Sequence, residues 1–396
     1  MAERETNVAE PPVGRPAIPD ILEEHLEELA HLSIQRRKLL FSGEVPLRRV
    51  RQHAERIEAH LDGLRVGGAA SIKLCEKFLE ADDPWLVHAA GRVWLELGEP
   101  SASGVNKRLE AVAADSVCAW KETFRQIPRE VVQRILPTGS IEKLPDPMLS
   151  IVVDAWGWHG LLTSEIASKL VSVPGPEVRF ALARHADWPA VVARLLEDEN
   201  VSVRRAALWR VALQRPHDAL SRCRTAAREG EIDQFAVRVL GLFGDHSDGQ
   251  LLVSLATQKR TINAVIEALR ELAIPEFAEV LLDLLDDEAA EIGAVAKVAF
   301  ESLTGRISLP HATQDLAKND SLARRHWGEI RAKLDSRERR LRGVRFPWQG
   351  DPADEPMEFL WRRSLGGEIA DAPALRREVP DGFFAGEPTF VAIPGE

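Results

Sequence analysis

Apolar residues recur at helical spacing along most of this chain, and short polar turns separate one such stretch from the next. Asp20 is a plausible N-cap for the first helix, which should end near Phe41, and a second helix should follow Pro46. No stretch shows the sustained period-two alternation that is typical of strands. The pattern therefore predicts an all-α protein.

A repeat is visible in the second half of this pattern. A small residue takes the same place in successive predicted helices, at Ala181, Ala206, Ala236, Ala264 and Ala294. These positions are 25, 30, 28 and 30 residues apart, and turn signals such as the proline at position 216 stand between them. A period of about 20 to 50 residues is typical of solenoids, in which no repeat buries its apolar face alone. We therefore expect an α-solenoid of stacked helical hairpins.

The pattern divides the chain into segments of different character. A proline-rich tail at 1–19 should be disordered, a helical hairpin at 20–66 should cap the array, and the repeats should fill 67–305. A terminal basic helix at 306–345 then precedes an irregular, acidic extension at 346–396. This extension carries several large aromatic groups, which a solvated segment would not need, so it should pack against the rest of the protein.

Composition and charge limit the possible partners. The formal net charge of −11 argues against a general nucleic-acid binder, so we do not expect nucleic acid as a partner. The three cysteines are far apart and fit neither a disulfide framework nor a zinc site. No apolar run approaches the roughly 20 residues that span a bilayer, and the N-terminus lacks a signal peptide. We expect a cytoplasmic protein without membrane insertion.

Catalytic and cofactor motifs are missing from the sequence. It contains no P-loop, no GxGxxG, no GxSxG, and no HxH or HxxxH pair with a plausible third ligand. We therefore assign no catalytic, cofactor-binding or metal-ligating residue. The sequence favours a non-enzymatic scaffold or adaptor that binds a protein partner.

Four polar residues near the N-terminus could join the first two helices. Glu24 and His25 on the first helix could meet Arg56 or His60 on the second. We expect a structural clasp that fixes the hairpin on the array. The alternative is a catalytic Glu/His pair, for which no third component is visible.

Two further groups of residues have a functional and a structural interpretation. Trp156 and Trp158 could form an aromatic binding platform, but we expect them to seal the seam between hairpins. Arg179 and Arg204 stand at the head of repeat helices and could bind a ligand. We expect such arginines to pair with an acidic residue of the neighbouring repeat.

A basic face is predicted on the terminal helix. Its arginines include Arg324, Arg325, Arg331, Arg337, Arg339 and Arg340. They could contact phosphates. They could equally form a solvated face, or hold the acidic extension by charge complementarity.

Two resemblances to known families extend this interpretation. The run from Asp198 to Ala207 resembles HEAT-type repeats, whose second helix opens with an acidic turn, a Val-Arg pair and a small residue. The runs from Ile21 to Glu28 and from Arg56 to Arg65 resemble an uncharacterised proteobacterial family of HEAT-like proteins. Genes of that family are often found near type VI secretion spike and effector genes. The resemblance implies an accessory that binds spike or cargo components. HEAT-like scaffolds also include enzymes, so a lyase or hydrolase is the alternative.

Overall fold

The computed structural model describes residues 18–41, 45–112, 114–136, 144–230, 232–257, 261–286, 289–304, 316–333, 340–341 and 344–345. These residues are almost entirely helical, which confirms the predicted all-α fold class. Nearly all of the predicted N-terminal tail and the whole predicted extension at 346–396 lie outside the described residues. None of the helices in the described ranges is both long enough and apolar enough to cross a membrane.

Contacts divide the protein into two compact units, and the boundary follows Ile166. The helices before it are α1 (Pro19–Phe41), α2 (Leu47–Gly67), α3 (Ala69–Phe78), α4 (Pro84–Leu97), α5 (Ala102–Glu110), α6 (Val117–Gln126), α7 (Arg129–Ile135) and α8 (Asp146–Trp158). A short 3-10 turn, Ala114–Ser116, precedes α6, and the boundary falls within α9 (Ser164–Leu170).

Helices of the first unit are arranged in two layers. In one layer α1 packs on α4, α4 on α6, and α6 on α8. The remaining helices cover this layer, with α3 against α4 and α5 against α7. Large buried side chains such as Trp120, Phe124 and Trp156 fill the space between helices. Successive hairpins therefore stack side by side, as the repeat pattern predicts.

The second unit repeats this arrangement. Its helices are α10 (Pro176–His185), α11 (Pro189–Leu196), α12 (Val201–Gln214), α13 (Pro216–Glu229), α14 (Gln234–Phe243), α15 (His246–Leu255), α16 (Ile262–Leu272), α17 (Ala278–Asp283), α18 (Ala290–Thr304) and α19 (Leu316–Ile330). Short 3-10 turns lie at Pro275–Phe277, Leu284–Asp286 and Arg331–Lys333. One layer is formed by α10, α12, α14, α16 and α18, and α11, α13, α15 and α17 pack against it.

The repeated small residues identify this layer. The alanines at 181, 206, 236, 264 and 294 lie on α10, α12, α14, α16 and α18, one on each helix. The first three are buried, but Ala264 is half-buried and Ala294 is exposed. In α18 the core positions are Ala296 and Ala299 instead. Each residue turns the helix by about 100°, so a shift of two positions moves a side chain to the other face.

A glycine allows two helices of this layer to approach closely. A Cβ added at Gly241 on α14 would lie 2.5 Å from the carbonyl oxygen of Ala268 on α16. Only a residue without a side chain fits at this distance. The separation of α14 and α16 therefore depends on this glycine.

Pro216, predicted as a turn signal, lies just after α12 and is the first residue of α13, because proline fits the first helical position. The structure corrects two of the predicted boundaries. Because proline fits the first helical position here too, α1 begins at Pro19, and Asp20 lies in its first turn instead of capping it. The terminal basic helix is shorter than predicted, because α19 ends at Ile330.

Beyond this helix the chain forms a short antiparallel strand pair. It joins β1 (Arg340–Leu341) to β2 (Val344–Arg345), with Arg340 opposite Arg345. The sequence places Gly343 in the two-residue connection, where glycine favours a hairpin.

Candidate functional site

Two of the predicted clasp residues meet where α1 packs beside α2. Nδ1 of His25 lies 3.0 Å from Nδ1 of His60, and the rings contact edge to face with centroids 5.2 Å apart. One nitrogen must donate and the other accept, so at least one ring is neutral. Gly63 leaves room for this contact, because a Cβ there would lie 2.6 Å from Nε2 of His25. The clasp is therefore a histidine pair.

Glu24 and Arg56, the other predicted clasp residues, act on this pair through their charges. Burial lowers the pKa of His60, and the nearby charges of His25 and Arg56 lower it further. The carboxylates of Glu28 and Glu24 oppose this shift. Of the contacts that the sequence allowed between α1 and α2, the structure therefore forms the one between His25 and His60, and burial disfavours charge on the His60 ring.

Ion pairs and hydrogen bonds between polar side chains link four helices of the first unit in a continuous line, which we call the polar row. Its members are Glu58 and Arg65 on α2, Arg92 and Glu96 on α4, Glu122, Arg125 and Gln126 on α6, and Asp154 on α8.

Arg92 joins three helices of the polar row. Its guanidinium donates to Glu58 at 2.9 Å, to Glu96 at 3.1 Å, and to the side-chain oxygen of Gln126 at 3.1 Å. Arg65 adds a second link to Glu96 at 3.3 Å. The bonds from Arg92 to Glu58 and Gln126 and from Arg65 to Glu96 each fix one helix against another, whereas the bond from Arg92 to Glu96 lies within α4.

The strongest contact of the polar row joins Arg125 to Asp154. The guanidinium donates two hydrogen bonds of 2.8 Å to the carboxylate, and the side chains are only 7% and 1% exposed. Glu122 lies 3.7 Å from Arg125 and accepts a bond from Gln126. Burial alone would raise the pKa of Glu122, but the charges of Arg125 and His88 and the hydrogen bond from Gln126 together lower it. The ion pair between Arg125 and Asp154 is therefore both buried and bidentate.

Trp158 lies beside this pair, whereas Trp156 does not. The guanidinium carbon of Arg125 is 5.3 Å from the Trp158 ring centroid, within the range of a cation–π contact, and Trp158 is half-buried. Trp156 is fully buried, and its indole nitrogen donates to the carbonyl oxygen of Leu136 at 3.0 Å. Trp156 therefore fits the expected role of sealing the seam between hairpins. Trp158 remains partly exposed, so a binding partner can contact it.

The sequence contained a signal for the polar row that motif searches miss. Partners in it are separated by 29 to 34 residues, which is one repeat. Charged residues that recur at the repeat period therefore indicate contacts between neighbouring hairpins.

A buried histidine lies behind the polar row. Nδ1 of His88 is 3.0 Å from the Thr123 hydroxyl, which itself donates to the Ala119 carbonyl at 2.8 Å, so His88 is the donor. Its Nε2 has no hydrogen-bond partner among the described residues. Burial lowers the pKa of His88 to about 4, although Glu122 opposes the shift. The ring is therefore neutral at neutral pH.

In the second unit, two predicted arginines converge on one turn. Arg179 donates to both carboxylate oxygens of Asp198, at 2.7 and 3.1 Å, as predicted for a contact between neighbouring repeats. Burial alone would raise the pKa of Asp198, but this bond helps to lower it. Arg204 differs from the prediction, because it donates to the main-chain carbonyls of Asp198 and Glu199 at 2.6 and 3.0 Å. These two carbonyls follow the end of α11, where the backbone lacks helical hydrogen bonds, and the Arg204 guanidinium donates to both.

The described part of the basic face meets acidic side chains of α17. Arg324 lies 3.6 Å from Asp283, and Arg331 lies 2.7 Å from Glu279. Arg325 is exposed on the same helix. Arg337 and Arg339 lie outside the described residues, and Arg340 belongs to β1. These ion pairs compete with any contact between this face and phosphates.

Neither metal-ligand geometry in the described residues nor comparison with known proteins identifies a further functional residue. Within the described ranges, no group of three or more His, Cys, Asp or Glu side chains is placed to hold a metal ion. No protein-family model, curated protein or solved structure matches the chain.

Proposed function

We propose that this protein is a non-enzymatic scaffold that binds a protein partner with Trp158 as the central contact. The observation that carries the proposal is that buried residues hold the Trp158 ring in place. Arg125 lies over Trp158, and the buried carboxylate of Asp154 holds Arg125 in place. Tryptophan and arginine are enriched among the residues that dominate binding energy at interfaces. A side chain that is already fixed loses less entropy when a partner binds.

The polar row supplies the surroundings of this contact. Glu58 and Arg65 remain 52% and 38% exposed at one end of it, so charges of both signs are open to solvent. Charged groups of mixed sign favour specificity and fast association more than raw affinity. The partner surface should therefore offer an apolar pocket for Trp158 and, further along the polar row, charged groups that face Glu58 and Arg65.

The N-terminal resemblance indicates which partners to test first. Type VI secretion spike and cargo proteins are the first candidates, and the proposed role is that of an adaptor for them. Affinity capture would compare the full chain with Trp158→Ala, and Trp188→Ala would be the control because Trp188 is a half-buried tryptophan of the second unit.

The proposal expects one protein to be recovered at constant stoichiometry by the wild type and the control, but not by Trp158→Ala. Equal recovery by all three proteins would contradict it. Recovery of nucleic acid that falls steeply with salt would favour the basic face instead. Turnover of a small substrate by the purified chain would favour the enzyme alternative.

A further inference from the structure

A cavity of ≈ 330 Å³ opens in the first unit, between the turn that joins α3 to α4 and the segment that joins α5 to α6. Its volume is at the lower end of the range for small-molecule sites. It shares no residue with the polar row, so it is a separate candidate site.

One wall of the cavity is apolar. Leu79, Val87 and Trp120 line it, and all three are otherwise buried among protein atoms. Val112 adds a half-buried aliphatic group. A hydrocarbon stem placed here leaves water at a gain of about 25 cal/mol per Å² of apolar surface.

The rim of the cavity carries an excess of negative charge. Glu80, Asp82 and Asp115 contribute carboxylates, and Arg108 contributes one positive charge. Arg108 forms an ion pair with Glu80 at 3.0 Å, and among the described residues neither Asp82 nor Asp115 forms an ion pair. The C-caps of α3 and α5, Leu79 and Ala111, also line the cavity, where helix ends carry partial negative charge, but Ser116 brings the partly positive start of α6 to the same place, so the side chains decide the sign of the rim. The rim therefore attracts a cation.

A buried hydroxyl provides the second polar feature of the site. Ser116 lines the cavity and is only 9% exposed. It occupies the N-cap position of α6 without a side-chain hydrogen bond to that helix. Its hydroxyl oxygen is therefore open to accept a hydrogen bond from a ligand N–H.

We propose that this cavity binds an ammonium group carried on a short apolar stem. The ammonium donates to the carboxylates of Asp82 and Asp115 and to the Ser116 hydroxyl, and the stem lies against Trp120. Two sources offer this chemistry: a free primary amine, or the side chain of a lysine in a partner protein.

Calorimetry with the full chain would separate these sources. The probes are 2-phenylethylamine for a free amine, Nα-acetyl-lysine amide for a lysine side chain, and 2-phenylethanol as the uncharged control. The test variant combines Asp82→Asn with Asp115→Asn, and Asp218→Asn is the control for loss of an exposed carboxylate in the second unit. Ala111→Leu, which adds bulk to the lining, tests the cavity without changing charge.

The expected result is that at least one amine binds, at least about tenfold more tightly than the alcohol. The double variant should lose about tenfold or more in affinity, Ala111→Leu should block binding, and Asp218→Asn should change nothing. Binding of phenylethylamine alone identifies a free amine, and binding of the lysine amide alone identifies a lysine side chain. The proposal is overturned if neither amine binds below about 10 mM, if the alcohol binds equally well, or if the double variant binds like the wild type.

Discussion

His88 should make the first unit lose stability in acid. Its pKa falls from the ordinary value of 6.5 to about 4 because the ring is fully buried. The folded protein therefore keeps the ring neutral where the unfolded chain already binds a proton. At about 1.4 kcal/mol per pKa unit, the difference corresponds to about 3 kcal/mol of unfolding free energy. This stability is present above about pH 6.5 and is lost as the pH falls towards 4.

The substitution His88→Gln removes this titration and keeps an amide that can donate to Thr123. The variant should be less stable than the wild type at neutral pH by about 1–2 kcal/mol. It should then lose less stability on acidification. Between about pH 7 and pH 4.5 the wild type should lose about 2–3 kcal/mol more than the variant. His53 and His60, whose pKa values burial also lowers, remain in both proteins and cancel in the difference.

Urea denaturation followed by circular dichroism over this pH range measures the effect. Hydrogen exchange of peptides from α4 would show that the change arises in the first unit. His217→Gln, at an exposed position of α13, is the matched control. If His88→Gln and the wild type lose stability in parallel as the pH falls, the buried neutral histidine is not the cause and the reasoning is refuted.

Three further predictions follow from packing and burial. Asp154→Ala leaves Arg125 buried without this carboxylate and should lower the free energy of unfolding by about 3–5 kcal/mol, as measured by denaturation. The control Asp187→Ala breaks an exposed ion pair and should lower it by less than about 1 kcal/mol. Equal losses in the two variants would contradict the account. Gly241→Ala should lower the free energy of unfolding by about 1–3 kcal/mol, because α14 and α16 must move apart. Gly328→Ala, which has open space around it, should raise it by up to about 1 kcal/mol. An unchanged free energy of unfolding in Gly241→Ala would show that the two helices are not in close contact. Cys118 should react first with Ellman's reagent in the native protein, because burial raises the pKa of the Cys75 and Cys223 thiols to about 12. Equal reaction rates for the three thiols would refute the prediction.

The sequence predicts the stacking layer because small residues recur where helices pack against each other. It predicts less about each helix's orientation, as the exposed Ala294 shows. A helix pattern tolerates rotation by a residue or two, and tertiary packing decides among these orientations. Proline was the other source of error, because it takes the first helical position at Pro19, where Asp20 was expected to cap the helix.

The candidate site was predictable in part. His25 and His60 were expected to be near each other because their helices form an antiparallel hairpin, and they do meet. The position of Trp158 over Arg125 was not predictable, because it depends on how α8 is rotated and on which of two nearby tryptophans is buried. Only the packed structure separates Trp156 from Trp158.

The most direct test of the account is the affinity of the purified partner for the wild type and for Trp158→Ala, measured by calorimetry. Loss of a central tryptophan contact typically costs about 2 kcal/mol or more, so the account predicts a dissociation constant at least about 30-fold higher for the variant. Affinities within about threefold of each other, with the variant correctly folded, would contradict the claim that this face binds the partner.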